Sequence, residues 1–85
     1  MSTLEQYFDE NRRYHRIDGP ALVTDRSEYW MIHGRLHRED GPAKILKSKF
    51  RHIEDYYLNG VKLSKDDYDV KILSMKLEML LEKIK

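Results

Sequence analysis

Two short segments of this chain carry residue types that could do chemistry. His15-Arg16 is followed by Asp18 and His37-Arg38 by Asp40, so an imidazole, a guanidinium and a carboxylate recur together. Two histidines brought close by a repeat can bind a metal or pass a proton. The same triplet also has a structural use, with each His and Arg packed on an aromatic ring of a neighbouring strand and the Asp fixing a turn. Recurrence favours the structural use: a catalytic group occurs once per site, whereas a structural unit repeats together with its turn residues. A zinc site needs three or four converging His, Cys or carboxylate ligands. The four histidines, His15, His33, His37 and His52, follow no familiar metal spacing, and cysteine is absent. The sequence also lacks a phosphate-cradling glycine loop, a nucleophile elbow and an HExxH motif. A non-enzymatic protein is expected, with no catalytic residue, no metal and no cofactor.

A second chemistry is nucleic-acid binding. Lys44, Lys47, Lys49 and Arg51 form a basic run over residues 44–52 beside Phe50 and His52, and Trp30, Tyr56 and Tyr57 could add stacking surfaces. Cations interleaved with aromatics suit phosphate contact and base stacking. Arg35 and Arg38 extend this possible binding surface. Residues 12–53 carry ten Lys/Arg and five Asp/Glu, a local +5, in a chain whose formal net charge is only +1. That total is low for a nucleic-acid binder, and lysines on an edge strand also serve to block sheet-to-sheet aggregation.

The elements that position these residues are repeats. Residues 7–21 overlay 29–43 at a shift of 22, with Tyr7/Tyr29, Arg13/Arg35, His15/His37, Arg16/Arg38, Asp18/Asp40, Gly19/Gly41, Pro20/Pro42 and Ala21/Ala43 identical and Phe8/Trp30 a conservative aromatic match. Such self-similarity marks stacked supersecondary units. A third copy begins at Tyr56-Tyr57-Leu58-Asn59-Gly60, 26 residues after Trp30-Met31-Ile32-His33-Gly34, and the four extra residues lengthen the loop around 48–51. His33-Gly34 and Asn59-Gly60 are hairpin turn signals. In Asp-Gly-Pro at 18–20 and 40–42 the Asp folds onto nearby N–H groups, the Gly permits positive φ, and the Pro fixes the exit into the next strand. Strands are expected at 28–32, 21–24 and 43–47, in an antiparallel meander of about six or more.

The string Y-W-x-x-x-G-x-x-H-R-x-D-G-P-A resembles the MORN-like repeats of small proteins encoded by bacteriophages and some bacteria. The resemblance covers residues 7–60, with Arg12 standing where the repeat has Gly and the third copy lacking its His-Arg-Asp part. It implies β-hairpins laid side by side and a binding role, that of a phage accessory protein acting on a host or defence protein. The start Met1-Ser-Thr-Leu-Glu-Gln has no signal-peptide pattern and no apolar run is long enough to span a bilayer, so no membrane partner and a cytoplasmic location are expected, in the host cell if the protein is phage-encoded.

Residues 64–85 read as a helix. Ser64 with Asp67 is a capping-box-like start, Asp66 and Asp67 suit the positive end of the dipole, and no Gly or Pro intervenes. Val70, Leu73, Leu77, Leu80 and Ile84 follow heptad a and d spacing, widened by Leu81, while Tyr68, Ile72, Met75 and Met79 lie nearly opposite. Two apolar faces predict a helix held between its own sheet, near Trp30 and Tyr56, and a second protein, most simply another copy of this chain. The expected architecture is one α+β domain over residues 1–85: a sheet of repeats at 7–28, 29–55 and a partial 56–63, then the helix.

Overall fold

Turn chemistry sets the path of the chain. At His33-Gly34 and Asn59-Gly60 both central residues are left-handed, with φ of 46° and 80°, and of 52° and 82°. That is the two-residue turn whose twist matches flanking strands. The computed structural model describes residues 2–84 and is an antiparallel β-meander with one C-terminal helix. The strands are β1 (Thr3–Gln6), β2 (Leu22–Thr24), β3 (Ser27–Tyr29), β4 (Met31–Ile32), β5 (Arg35–Leu36), β6 (Lys44–Lys47), β7 (His52–Leu58) and β8 (Val61–Leu63), followed by α1 (Lys65–Ile84). Six strands form a sheet in the order β1-β2-β3-β6-β7-β8, and β4 and β5 pair as a separate hairpin.

Three departures from the sequence reading have local causes. The sheet begins before the repeats, because β1 pairs with β2. The run 28–32 is not one strand: Trp30 donates its N–H to Ala43 and accepts at its carbonyl from His37, so its two backbone groups face different neighbours and the strand breaks there. Gly19 and Gly41 are not left-handed. What they provide is room, since a Cβ on Gly41 would stand 2.9 Å from the Arg38 guanidinium carbon, and one on Gly19 would stand 2.7 Å from that of Arg16.

The first repeat turns differently. Arg12 donates its N–H to the Asp9 carbonyl, Asp9 donates to the Arg13 carbonyl, and Arg12 itself is left-handed at φ 63°. This is a three-residue loop with a left-handed third position, one residue longer than the other two turns. The extra residue shifts the aromatic register, so the spatial counterpart of Trp30 is Tyr7 rather than Phe8: His15 donates to the Tyr7 carbonyl as His37 does to that of Trp30. A left-handed non-glycine costs about 1–2 kcal/mol, partly offset by the greater chain entropy that Gly loses. Arg12→Gly should therefore raise stability by about 0.5–1 kcal/mol, read as a melting temperature a few degrees higher. An unchanged or lower value would show that Arg12 is not strained.

The core is small. Ala21, Ala43, Leu58, Tyr68 and Ile72 are its buried apolar residues, and Ser27, opposite Leu46 in the sheet, is buried as well. Leu58, Tyr68 and Ile72 cluster with the half-buried Tyr56, Leu63 and Met75, which seats the first half of α1 on β7 and β8. Ser64 caps the helix by accepting the Asp67 N–H at 3.1 Å. Past Met75 every described helix residue is exposed, so Met79 does not join the sheet-facing stripe as its spacing predicts. The sheet is too short to reach it. The position of Lys85 lies outside the described residues.

Candidate functional site: the stitched repeat face

Consecutive hairpins are joined by one set of bonds that appears twice. The His15 Nδ1 accepts the His33 N–H at 3.0 Å, and the His37 Nδ1 accepts the Asn59 N–H at 2.9 Å. Gly34 donates to the Tyr14 carbonyl and Gly60 to that of Leu36, both at 2.8 Å. Arg16 donates its N–H to the Met31 carbonyl, and Arg38 its own to Tyr57. Each histidine therefore satisfies the backbone of the next turn through Nδ1, which leaves Nε2 to carry the proton. In His37 that Nε2 lies 2.8 Å from Glu39 Oε2, the geometry of a donated hydrogen bond.

The arginines form a second repeated device. The Arg38 guanidinium lies 3.7 Å from the Trp30 ring centroid, donates from Nε to Asp40 at 2.9 Å and from Nη1 to the Pro42 carbonyl at 3.2 Å. Arg16 does the same over Tyr7 at 4.2 Å, with Asp18 at 3.3 Å and Pro20 at 3.4 Å. The aromatic, the guanidinium and the glycine thus form three layers. The cation gains from the ring face and from two charge-assisted bonds. The indole N–H of Trp30 is buried and meets no acceptor among the described residues, so the stack rather than a hydrogen bond orients this ring.

The first turn has its own organiser, which the repeat pattern gave no hint of. The Asp9 carboxylate accepts from the Asn11 and Arg13 backbone N–H groups and from Arg13 Nε, and contacts His33 Nδ1 at 2.8 Å. The hydrogen bond with His33 and then that of the Arg13 backbone hold this carboxyl well below its ordinary range. An Asp followed two residues on by Asn and then by two Arg was the available signal for this side chain–backbone turn.

His15 and His37 are not brought together. The His15 ring stacks instead on His33, with centroids 4.1 Å apart. Among the described residues no cluster of three or more His, Cys, Asp or Glu could hold a metal. The basic residues are also divided. Lys44 and Lys47 point to opposite faces of β6, since successive strand residues alternate. Lys47 lies 3.8 Å from Glu28, Lys49 sits by Phe50, and Arg51 donates its N–H to Ser48 Oγ. Arg35 is exposed on β5, Tyr57 is half-buried, and Tyr56 packs against Tyr68 at 4.8 Å. Trp30 and Arg38 are committed to their stack.

Tyr68 closes the array. Its side chain is buried, and its hydroxyl accepts the Gly41 N–H at 3.2 Å and donates to the Arg38 carbonyl. Burial pushes the phenol's pKa up, which keeps it a donor. On the other side of α1, Val70, Leu73, Leu77, Leu80 and Ile84 are exposed by 68%, 60%, 52%, 56% and 80%, with Met79 and Leu81 exposed alongside. No described helix is long and apolar enough to cross a membrane. Comparison with protein-family models, with curated proteins and with solved structures finds no match for this chain.

Proposed function

We propose that the protein is a non-enzymatic interaction module that engages another protein through the outer side of α1. The observation that supports this is the exposed stripe Val70, Leu73, Leu77, Leu80 and Ile84. With Met79 and Leu81 it offers area on the order of the ~800 Å² that each partner gives to a standard interface. A patch of that size is more than soluble monomers ordinarily leave wet. The occupant is a second copy of the chain: the stripe keeps a and d spacing, which suits helix-on-helix packing, and a twofold axis buries it on both copies at once. An antiparallel pair brings the acidic first turn, Asp66 and Asp67, toward the Lys83 end of the other helix, with the two dipoles opposed. The resemblance to phage and bacterial MORN-like repeats adds a host or defence protein as the target of the assembled module, placing its action in the host cytoplasm. Binding of nucleic acid through residues 44–52 has less to support it, since Lys44 and Lys47 face opposite ways.

Light scattering during size exclusion tests the pairing. The wild type should run as a dimer at roughly tens of micromolar, below the millimolar range where weak contacts form, and Leu77→Glu with Leu80→Glu should run as a folded monomer. A monomeric wild type would remove the second copy as occupant. If, in addition, proteins captured from bacterial lysate are the same for wild type and double variant, the outer face of α1 is not the docking surface at all.

A further inference from the structure

We propose that the groove between the two Arg-x-Asp-Gly-Pro turns is a second tyrosine socket, built to receive the tyrosine of a helical segment on a partner protein. The first such socket is occupied within the chain. Tyr68 lies on Tyr56, packs with Leu58 and Leu63, and bridges the Arg38 carbonyl and the Gly41 N–H through its hydroxyl. The bonds that stitch one hairpin to the next fix which residues correspond one repeat earlier. Arg16 stands for Arg38, Trp30 for Tyr56, Ile32 for Leu58 and His37 for Leu63.

All four of these counterparts line one groove of about 690 Å³, which Asp18 and Lys76 also border. The two backbone groups that would meet a hydroxyl are present as well: among the described residues, the Arg16 carbonyl and the Gly19 N–H form no hydrogen bond. Gly19 itself is a buried residue next to Asp18 at the groove's border, and an N–H without an acceptor costs more in such a place than at an exposed one. Among the described residues there is one helix, and its single tyrosine is already used by the last repeat.

The rim adds a preference. Arg16 pairs with Asp18 and Arg38 with Asp40, Glu39 is bonded by the neutral His37, and Lys76 forms no ion pair among the described residues. Lys76 can meet a carboxylate beside the incoming tyrosine, and this chain's own socket is filled by such a sequence, Asp66-Asp67-Tyr68-Asp69. The partner recognised is therefore a protein bearing an acidic, tyrosine-centred helix. This site lies apart from the outer stripe of α1 and does not depend on it.

Trp30 is the only tryptophan, so its emission reports the groove directly. The probe is a peptide of residues 64–75, stapled between positions 70 and 74, which are exposed and lie away from the sheet-facing side of the helix. Added to the full chain it should shift Trp30 emission saturably and move the Gly19 amide resonance. A peptide carrying Tyr68→Phe should bind at least about fivefold more weakly, having lost both hydroxyl bonds. The proposal is overturned by no Trp30 response at millimolar peptide, by equal binding of the Phe peptide, or by shifts at Gly41 in place of Gly19, which would mean exchange with the chain's own Tyr68.

Discussion

Tyr68→Ala should cost about 3–5 kcal/mol, the range for removing a buried aromatic, and no other single substitution in this protein should cost more. At about 4–8 °C per kcal/mol for a domain of this size, the melting temperature falls by some 15–30 °C. The reason is concentration of function in one side chain. Tyr68 is the bulkiest of the buried side chains in a small core, and its hydroxyl satisfies the last Asp-Gly-Pro turn, which has no following repeat to cover it. A core in a chain of 85 residues supplies only about 3–5 kcal/mol, so the loss is comparable with the whole. Tyr68→Phe separates the two contributions. It keeps the ring and leaves the Gly41 N–H and the Arg38 carbonyl without partners, at about 1–3 kcal/mol. Thermal melts together with limited trypsin cleavage at Lys71 and Lys76 check this, because a released helix is cut before the sheet. A Phe variant that melts with wild type would show that the bridging hydroxyl contributes nothing.

Arg38→Ala should destabilise by about 2–4 kcal/mol, summing a ring stack and two charge-assisted bonds. Arg16→Ala should cost about half as much, because every one of its corresponding contacts is longer and its side chain is 28% exposed against 20% for Arg38. Arg38→Lys should rescue little, since a point charge cannot stack flat while donating along two directions. Gly41→Ala should mimic the loss in part by pushing the guanidinium off the ring, for steric rather than conformational reasons. Urea denaturation of each variant, with Trp30→Leu completing a double-mutant cycle, measures the coupling. Independent, additive effects of Arg38 and Trp30 would dismiss the three-layer stack as an energetic unit.

Much of this architecture was legible because it rests on local rules. The turn pairs His33-Gly34 and Asn59-Gly60, the cap at Ser64 and the longer loop at 48–51 follow from residue types and spacing alone. The helix faces were legible up to Met75, but the register at which the helix leaves the sheet depends on strand length, which periodicity does not encode. The identical Tyr7 and Tyr29 misled for a similar reason: a one-residue difference in turn length, invisible in a gapless overlay, gives Tyr7 the place of Trp30. The repeated His and Arg announced a structural unit, yet their division of labour did not show. That an imidazole would serve a backbone amide of the next hairpin, or that a glycine would make room for a guanidinium, depends on neighbours far along the chain.

The bonds described above tie each hairpin only to the ones beside it. Stability in such an array is a sum of unit and nearest-neighbour contributions rather than a property of one shared interior. The length of the molecule is therefore a free variable. Duplicating residues 29–50 in frame would lay one more hairpin into the array, with its own histidine meeting the next turn and its own arginine stacked on its own aromatic, while the Tyr68 closure still meets the final unit unchanged. Over evolutionary time such a chain can lengthen or shorten its repeat face by unequal recombination within its own coding sequence, without redesigning either end.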